Sequence, residues 1–536
     1  MTVMKPYKLI TAAVLAALAL GTSACDDGLA DVNVNPNAPT DVEAQYLLPQ
    51  AERSTVEQWY YSWFNTEFTG AFAQHWAKIQ YTEEDQYRLR ENSIVGWWNN
   101  LYSGDLKDWQ MITEKGLALE SPRGDNIAAV GMIGQVYTLH LITDIWGDVP
   151  WTQALKGDDP DEPITAPAYD SQESIYTAML SMLDQAADML DPSVPTFGAE
   201  DLYYGGDLAQ WRKFANSLRL RLAMRMSDVA EATARPIVEE LAAGGDLILT
   251  NADNATLVFL ESVPYQNPLH ENWKTRDDHA VSNTLVNLMG ALNDPRIHVY
   301  ANPAAVPDPT ATFEWCDEAG EPVCHVEVDG IVYRGMRNGV NSGDVPEPIG
   351  LWSRLGDHYR ANGATTPAIL LSAAEVHFDL AEAALEGWAV GDAQTHYEAG
   401  VTAAFEMWDG ANGVDLGSAA ITAYLAQPGV AWGTTPADGA GDNFELVAEQ
   451  NWLALYSTGP EAYAAYRRTG YPDEVLPSMD ATLNFVPGRI PYPDVEQSLN
   501  STNLASAISA QSSLGVDGTY AGRVWWDPVA PPTWTP

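Results

Sequence analysis

The sequence predicts a mainly α-helical fold with a large irregular, loop-rich face, and three observations carry that prediction. Apolar residues recur at alternating three- and four-residue steps through most of the chain, the spacing of one buried helix face. Between Asn251 and Pro367 this periodicity is lost except around Val281 to Leu292, and Gly, Pro, Asn and Asp become frequent. The stretch 370–408 reads as two antiparallel helices: Leu371, Ala374, Phe378, Ala381, Leu385 and Trp388 form one stripe, Tyr397, Val401, Ala404 and Trp408 the next. Gly387 and Gly391 end the first helix and Asp392 is placed to cap the second. Small alanines facing aromatics let such helices approach closely, as in a tetratricopeptide-type hairpin. The expected whole is a tetratricopeptide-like helical scaffold with an irregular ligand face, where long insertions tend to carry binding surfaces.

In chain order, residues 1–24 read as a secretory signal peptide: a cationic start at Lys5 and Lys8, an apolar run from Leu9 to Leu20, then small residues. Gly21 to Cys25 resembles a bacterial lipobox with Thr22 in place of the usual leucine, so Cys25 is the expected lipidation site. Residues 26–45, rich in Asp, Asn and Pro, form a flexible tether. From Tyr46 onward, residues 46–536 read as a single domain. Trp59, Trp63, Phe64, Phe68, Phe72 and Trp76 fall close to helical steps and are assigned to helix core. A polar segment, 81–96, precedes a helix that begins at Trp97-Trp98 and runs through Tyr102 and Trp109. Helices follow at 126–146 and Ser171–Leu190, separated by a loop holding Pro163 and Pro167. The helix at 208–229 holds Arg212, Lys213, Arg219, Arg221 and Arg225, which in so acidic a chain are expected to pair with internal carboxylates. Glu375, Asp379, Glu382 and Glu386 recur at helical spacing and read as a solvated helix face. After a Gly/Pro-rich stretch at 417–441 comes a helix pair broken at Gly459-Pro460, then a loop-rich tail.

Composition excludes some functions. With 27 basic and 73 acidic residues the formal charge is -46, which repels nucleic acid and anionic lipid headgroups. No HExxH, phosphate-binding glycine loop, dinucleotide fingerprint, zinc-spaced cysteine cluster or serine elbow is present, and carboxylates are too abundant for any pair to be nominated. No cofactor is expected; Asp438 to Asn443 could give oxygens to a structural calcium but lacks the full loop pattern. Cys316 and Cys324 share one loop and could close a small disulfide; a metal site with adjacent His325 is the alternative, without an evident fourth ligand.

Binding remains. Aromatic residues in polar loops are harder to bury than those on helical stripes, and indole and phenol faces stack on sugar rings. The candidates are Tyr81, Tyr87, Arg90 and Trp97 in and after the polar segment, with Gln86 beside them. A second loop contributes Tyr265, Asn267 and Trp273, near His270 and Arg276, and Trp315 and Trp352 lie further on. Each could equally anchor its loop to the helices.

The chain resembles the SusD/RagB outer-membrane lipoproteins, particularly the SusD-like nutrient-binding subgroup. The resemblance is carried by Asn33 to Thr40 (NVNPNAPT), WRKFANSLRLRLAMRMSDV at 211–229, Asn293-Asp294-Pro295-Arg296, AEVHFDLAEAALEGW at 374–388, 449–472 and RIPYPDVEQSLN at 489–500. It implies a SusD-like α/α superhelix on the outer membrane, lipid-anchored and facing the cell exterior. It also implies a SusC-like TonB-dependent transporter as partner, to which the protein delivers glycan without catalysis. A peptide-binding member and a structural transporter lid with no ligand are the alternatives within that frame; a secreted glycan-degrading enzyme is the alternative outside it.

Overall fold

A computed structural model describes residues 42–159, 161–306, 325–434, 442–516 and 519–527. Its longer helices are α1 (Ala44–Tyr60), α2 (Glu91–Asn99), α3 (Lys107–Leu117), α4 (Pro122–Trp146), α5 (Gln172–Met189), α6 (Leu208–Arg225) and α7 (Ser227–Gly244). They continue with α8 (Pro268–Trp273), α9 (Asn283–Ala291), α10 (Ala373–Leu385), α11 (Ala393–Glu406), α12 (Ser418–Leu425), α13 (Asn443–Ala454), α14 (Gly459–Thr469) and α15 (Ser501–Ala510). The mainly α prediction is what the structure shows. Short strands pair antiparallel in twos: β1 (Trp76–Lys78) with β3 (His279–Val281), β2 (Ala255–Leu257) with β6 (Ala368–Leu371), and β4 (Val326–Val328) with β5 (Ile331–Tyr333). The β4–β5 turn is Asp329-Gly330, both at positive φ, the two-residue hairpin that suits strand twist.

Consecutive helices pack as neighbours, α3 on α4, α4 on α5, α5 on α6 and α6 on α7. Helix α4 is buried along nearly its whole length and starts from a Ser121 cap with Pro122 in its first turn. Its close approach to α3 depends on Gly134: a Cβ there would stand 2.1 Å from the Trp109 ring. The Trp109 indole occupies that slot and donates to Thr55 Oγ1 on α1 at 2.8 Å. The α10–α11 hairpin uses the same device, since a Cβ on Gly400 would meet the Phe378 ring at 2.8 Å. Asp392 caps α11 through the Thr395 amide, as expected. The hairpin starts later than its periodicity predicts: residues 368–371 form β6, and the Ser372 cap opens α10.

The basic run of α6 faces inward and finds carboxylates. Arg221 donates to both oxygens of Glu375, at 2.5 and 2.7 Å, and to the Leu370 carbonyl at 2.8 Å. Arg225 reaches Asp144 on α4 and Glu461 on α14, both at 2.5 Å. Arg468 holds Glu382 at 2.5 Å, and His140 lies 2.9 Å from Glu461. Burial would raise the Glu461 carboxyl, but Arg221, Arg225 and His140 hold it well below the usual carboxylate range. Three of the four acids read as a solvated stripe are therefore not solvated, while Glu386, just past the end of α10, is exposed as expected. Glu375 and Glu382 are buried against α6 and α14, where the guanidinium groups of Arg221 and Arg468, invisible in local spacing, make that burial tolerable. Asp379 is buried between them, and burial with its two carboxylate neighbours pushes its carboxyl well up.

Removing one partner of this network leaves carboxylates buried and under-compensated. Arg225→Met is expected to cost about 3–5 kcal/mol, while Arg235→Ala, which breaks a solvent-exposed pair with Glu239 on α7, is expected to leave stability nearly unchanged. Urea-unfolding midpoints of the two variants against the parent protein check the contrast.

Candidate functional site

An open groove of about 760 Å³ lies between α1, α2 and the residues that follow each. It exists because two helices do not continue as their periodicity suggests. At Tyr61 the backbone turns extended, with φ −59° and ψ 145°, and ends α1. A short helical turn, Ser62–Phe64, then gives way to a π-helical turn, Asn65–Thr69. The extra residue of such a turn shifts the register of what precedes it. Phe64, Phe68, Phe72 and Trp76 thereby keep to the core, while Tyr61 is exposed and Trp63 half-buried at the groove. A second π-helical turn, Asn100–Leu106, follows α2 and supplies Asn100, Ser103 and Gly104 to the opposite wall.

The groove chemistry is aromatic and neutral-polar. Tyr61, Trp63 and the edge of Trp97 line it, with Gln50, Gln58, Asn92, Ser93 and Asn100 between them. Arg53 pairs with Glu57 at 2.7 Å, and Asn100 donates to Gln58 at 3.0 Å. The Arg90 guanidinium sits 4.4 Å from the Trp63 ring centre and is held by Glu84 at 2.5 Å and Glu67 at 3.3 Å. Lys78 on β1, fully buried, bridges the same two acids at 2.8 and 3.3 Å. The cation over the indole is thus fixed from behind.

The β1–β3 ribbon brings the two candidate loops together. Pairing of Lys78 with His279 makes the chain leaving β1 run beside the chain entering β3. Tyr81, exposed and held at φ 54°, consequently has Arg276 at 5.7 Å from its ring centre. Arg276 is in turn held by Asp278. The loop's other end reaches the groove, where Arg53 lies 4.4 Å from the exposed Tyr265 ring. Trp273, half-buried, is covered by Arg360 at 3.4 Å, which Asp277 holds at 3.2 Å. Tyr61, Trp63, Tyr265, Trp273 and Tyr81 are therefore partly open aromatics on neighbouring segments, four of them with an arginine against one face.

Other sequence candidates lie inside. Tyr87 is buried edge-on to Phe72, and its hydroxyl accepts from the Ser478 amide at 3.0 Å. Asn267 caps α8 and donates to the Thr366 carbonyl at 2.8 Å. Trp352 is 1% exposed in a second core cluster with Ala77, Ile79 and Met336. Trp97 stacks on Phe68 at 5.4 Å and shows the groove only an edge. Tyr87, Asn267 and Trp352 serve packing or capping here, because a polar loop sequence does not reveal which of its side chains fold under neighbouring strands and loops, whereas Trp97 on α2 both packs on Phe68 and lends its edge to the groove. Cys25, Trp315, Cys316 and Cys324 lie outside the described residues. Of the Asp438–Asn443 segment, Asp442 caps α13, and residues 435–441 are also outside them. Among the described residues, no three or more His, Cys, Asp or Glu side chains group so as to hold a metal ion. Among them too, no helix is long and apolar enough to cross a membrane.

A family model described as starch-binding, associating with the outer membrane, matches residues 36–493. Solved structures are similar over nearly the whole length. A chitin-binding protein is 27% identical with a TM-score of 0.72, covering 90% of this chain and 99% of its own. A chitin-binding SusD homologue from Flavobacterium johnsoniae is 26% identical at TM-score 0.71, covering 91% and 98%. A SusD homologue from Bacteroides uniformis is 26% identical at TM-score 0.71, covering 91% and 99%. No curated protein matches the chain.

Beneath the groove, Asp105 accepts a hydrogen bond from Ser54 of the groove wall. Burial pushes its carboxyl up to about 7, against the lowering effect of Ser54. The folded state holds this proton more tightly than the unfolded chain, so its stabilisation is complete below pH ~4 and lost as pH rises through ~7. Asp105→Asn, which cannot ionise, is expected to gain stability on the parent from pH ~4 to ~7 and to keep a constant advantage, about 2–4 kcal/mol, above that. Unfolding midpoints across pH read it.

Proposed function

Because this chain belongs to the SusD-like family of starch-binding, outer-membrane-associating proteins, we propose that it binds an oligosaccharide without hydrolysing it, along the groove between α1 and α2. The carrying observation is the groove itself: open, aromatic on one side and lined mainly by uncharged amides and hydroxyls. Sugars present an apolar ring face and a rim of neutral hydroxyls, which call for this combination. A chain of charge -46 that leaves its groove largely neutral is not selecting by net charge. The arginines behind Trp63 and Tyr265 orient the rings and can donate to hydroxyls at their edges. Among the described residues the lining holds one carboxylate, Glu57, engaged by Arg53, whereas most glycoside hydrolysis uses a pair. The chitin-binding relatives make chito-oligosaccharides the first ligands to try. In this reading the protein is tethered at the outer membrane through Cys25 and hands its ligand to a TonB-dependent transporter, as the family resemblance implies. An open groove with modest affinity suits a protein that must release what it captures.

Calorimetry with chito-oligosaccharides, starch fragments and other glycans, with peptides as a parallel panel, tests the binding. Tyr61→Ala and Trp63→Ala are each expected to weaken the bound glycan about tenfold, about 1.4 kcal/mol, with no product formed. Unchanged affinity in both variants, or cleavage of the glycan, overturns the assignment; a response to peptides alone moves it to a peptide binder. Cys25→Ser is expected to shift the protein from the membrane fraction to the released fraction and to abolish incorporation of labelled fatty acid.

A further inference from the structure

The α10–α11 hairpin carries two histidines distant from the groove. His377 on α10 and His396 on α11 are half-buried and face one another. Nε2 of His377 lies 3.1 Å from the Leu249 carbonyl, and Nε2 of His396 lies 3.1 Å from the Val390 carbonyl. A carbonyl oxygen only accepts, so each Nε2 carries the hydrogen. The same contacts assign the ring orientation, because a flipped ring would set a carbon against the carbonyl. Each neutral ring then presents a bare Nδ1 lone pair, and the two Nδ1 atoms stand 3.3 Å apart. Two converging lone pairs repel unless an electrophile lies between them.

We propose that His377 and His396 form a two-imidazole site for a borderline divalent transition ion such as Zn²⁺, Ni²⁺ or Cu²⁺, clamping α10 to α11. Two nitrogens bound at about 2.0–2.1 Å to a tetrahedral ion stand about 3.3 Å apart, the spacing found here. Metal-bound histidines commonly donate their second ring N–H to a backbone carbonyl or carboxylate, and both rings already do so. A shared proton is the competing electrophile at this distance, and the metal titration below separates the two. Gly391 protects the arrangement: its φ is +120°, and a Cβ there would come within 2.9 Å of His396 Nε2. No third side chain joins the pair among the described residues, so water or an external ligand completes the sphere. The site is therefore open and exchangeable, unlike a closed structural zinc site. Calcium and magnesium, which take oxygen ligands, do not suit it.

The test is a titration of zinc chloride into the purified full-length protein, free of polyhistidine tag and stripped with chelator, read by calorimetry and thermal unfolding. One equivalent is expected to bind and to raise Tm in proportion to the logarithm of free metal. His377→Gln and His396→Gln should each lower zinc affinity at least tenfold. A glutamine amide can still donate to the Leu249 or Val390 carbonyl, so the metal-free Tm should change little. In the copper-loaded protein, electron paramagnetic resonance should show coupling to two imidazole nitrogens. Equal zinc affinity in both variants and the parent, or no metal-dependent rise of Tm in the parent, overturns the proposal and leaves the pair sharing a proton.

Discussion

The buried ion-pair network between α6 and its neighbours is the constraint on which the rest of the structure depends. Arg221 and Arg225 project from one helix into carboxylates of α4, α10 and α14, up to 236 residues away from the arginine in sequence. Asp144 also accepts from the Tyr176 hydroxyl at 2.5 Å and the Trp526 indole at 2.8 Å, tying in α5 and the C-terminal segment. Such pairs add little net stability, because desolvation offsets much of the attraction. Their effect is on register. A helix sliding by one turn would leave two or more charges buried without partners, so alternative stackings of these helices are heavily penalised. The aromatic core supplies the driving force, and the ions choose among its packings.

That fixed stack permits the irregularities on which the candidate site is built. The break at Tyr61 and the π-helical turns Asn65–Thr69 and Asn100–Leu106 lose regular backbone hydrogen bonding and hold their shape through tertiary contacts. Asn65 donates to the Ser457 carbonyl at 2.8 Å and accepts from the Gly459 amide at 3.2 Å, which fastens the first π turn to the start of α14. Across the site, arginines on aromatic faces are themselves held by acids: Arg90 by Glu84, Arg276 by Asp278, Arg360 by Asp277. The rings are oriented before any ligand arrives, which lowers the ordering cost of binding.

How far the site was legible in sequence differs from residue to residue. Tyr81 and Tyr265 stand out in the sequence as aromatics in polar loops, and both are exposed. Trp63 gives no such signal although it is half-buried at the groove, because its spacing to Trp59 is that of a helix and neither proline nor glycine marks the break at Tyr61. Tyr87 and Trp352 have the same loop signature as Tyr81, yet one packs on Phe72 and the other joins a buried cluster beside β1. The acidic stripe of α10 was misread for the converse reason: spacing places Glu375, Asp379 and Glu382 on one face but is silent on whether that face meets water or Arg221 and Arg468.

The sequence by itself determined the helical class, the α10–α11 hairpin with its Asp392 cap, the inward pairing of the α6 arginines and the family resemblance. These follow from local periodicity, capping chemistry and the improbability of cations lacking partners in so acidic a chain. Only the tertiary structure decided which aromatics are open, that the 81 and 265–276 loops meet through the β1–β3 ribbon, and that a neutral groove opens where α1 ends. Those outcomes depend on contacts between segments from about fifty to some two hundred residues apart. Exposure is a property of such contacts, and a residue's own neighbours in the chain do not encode it.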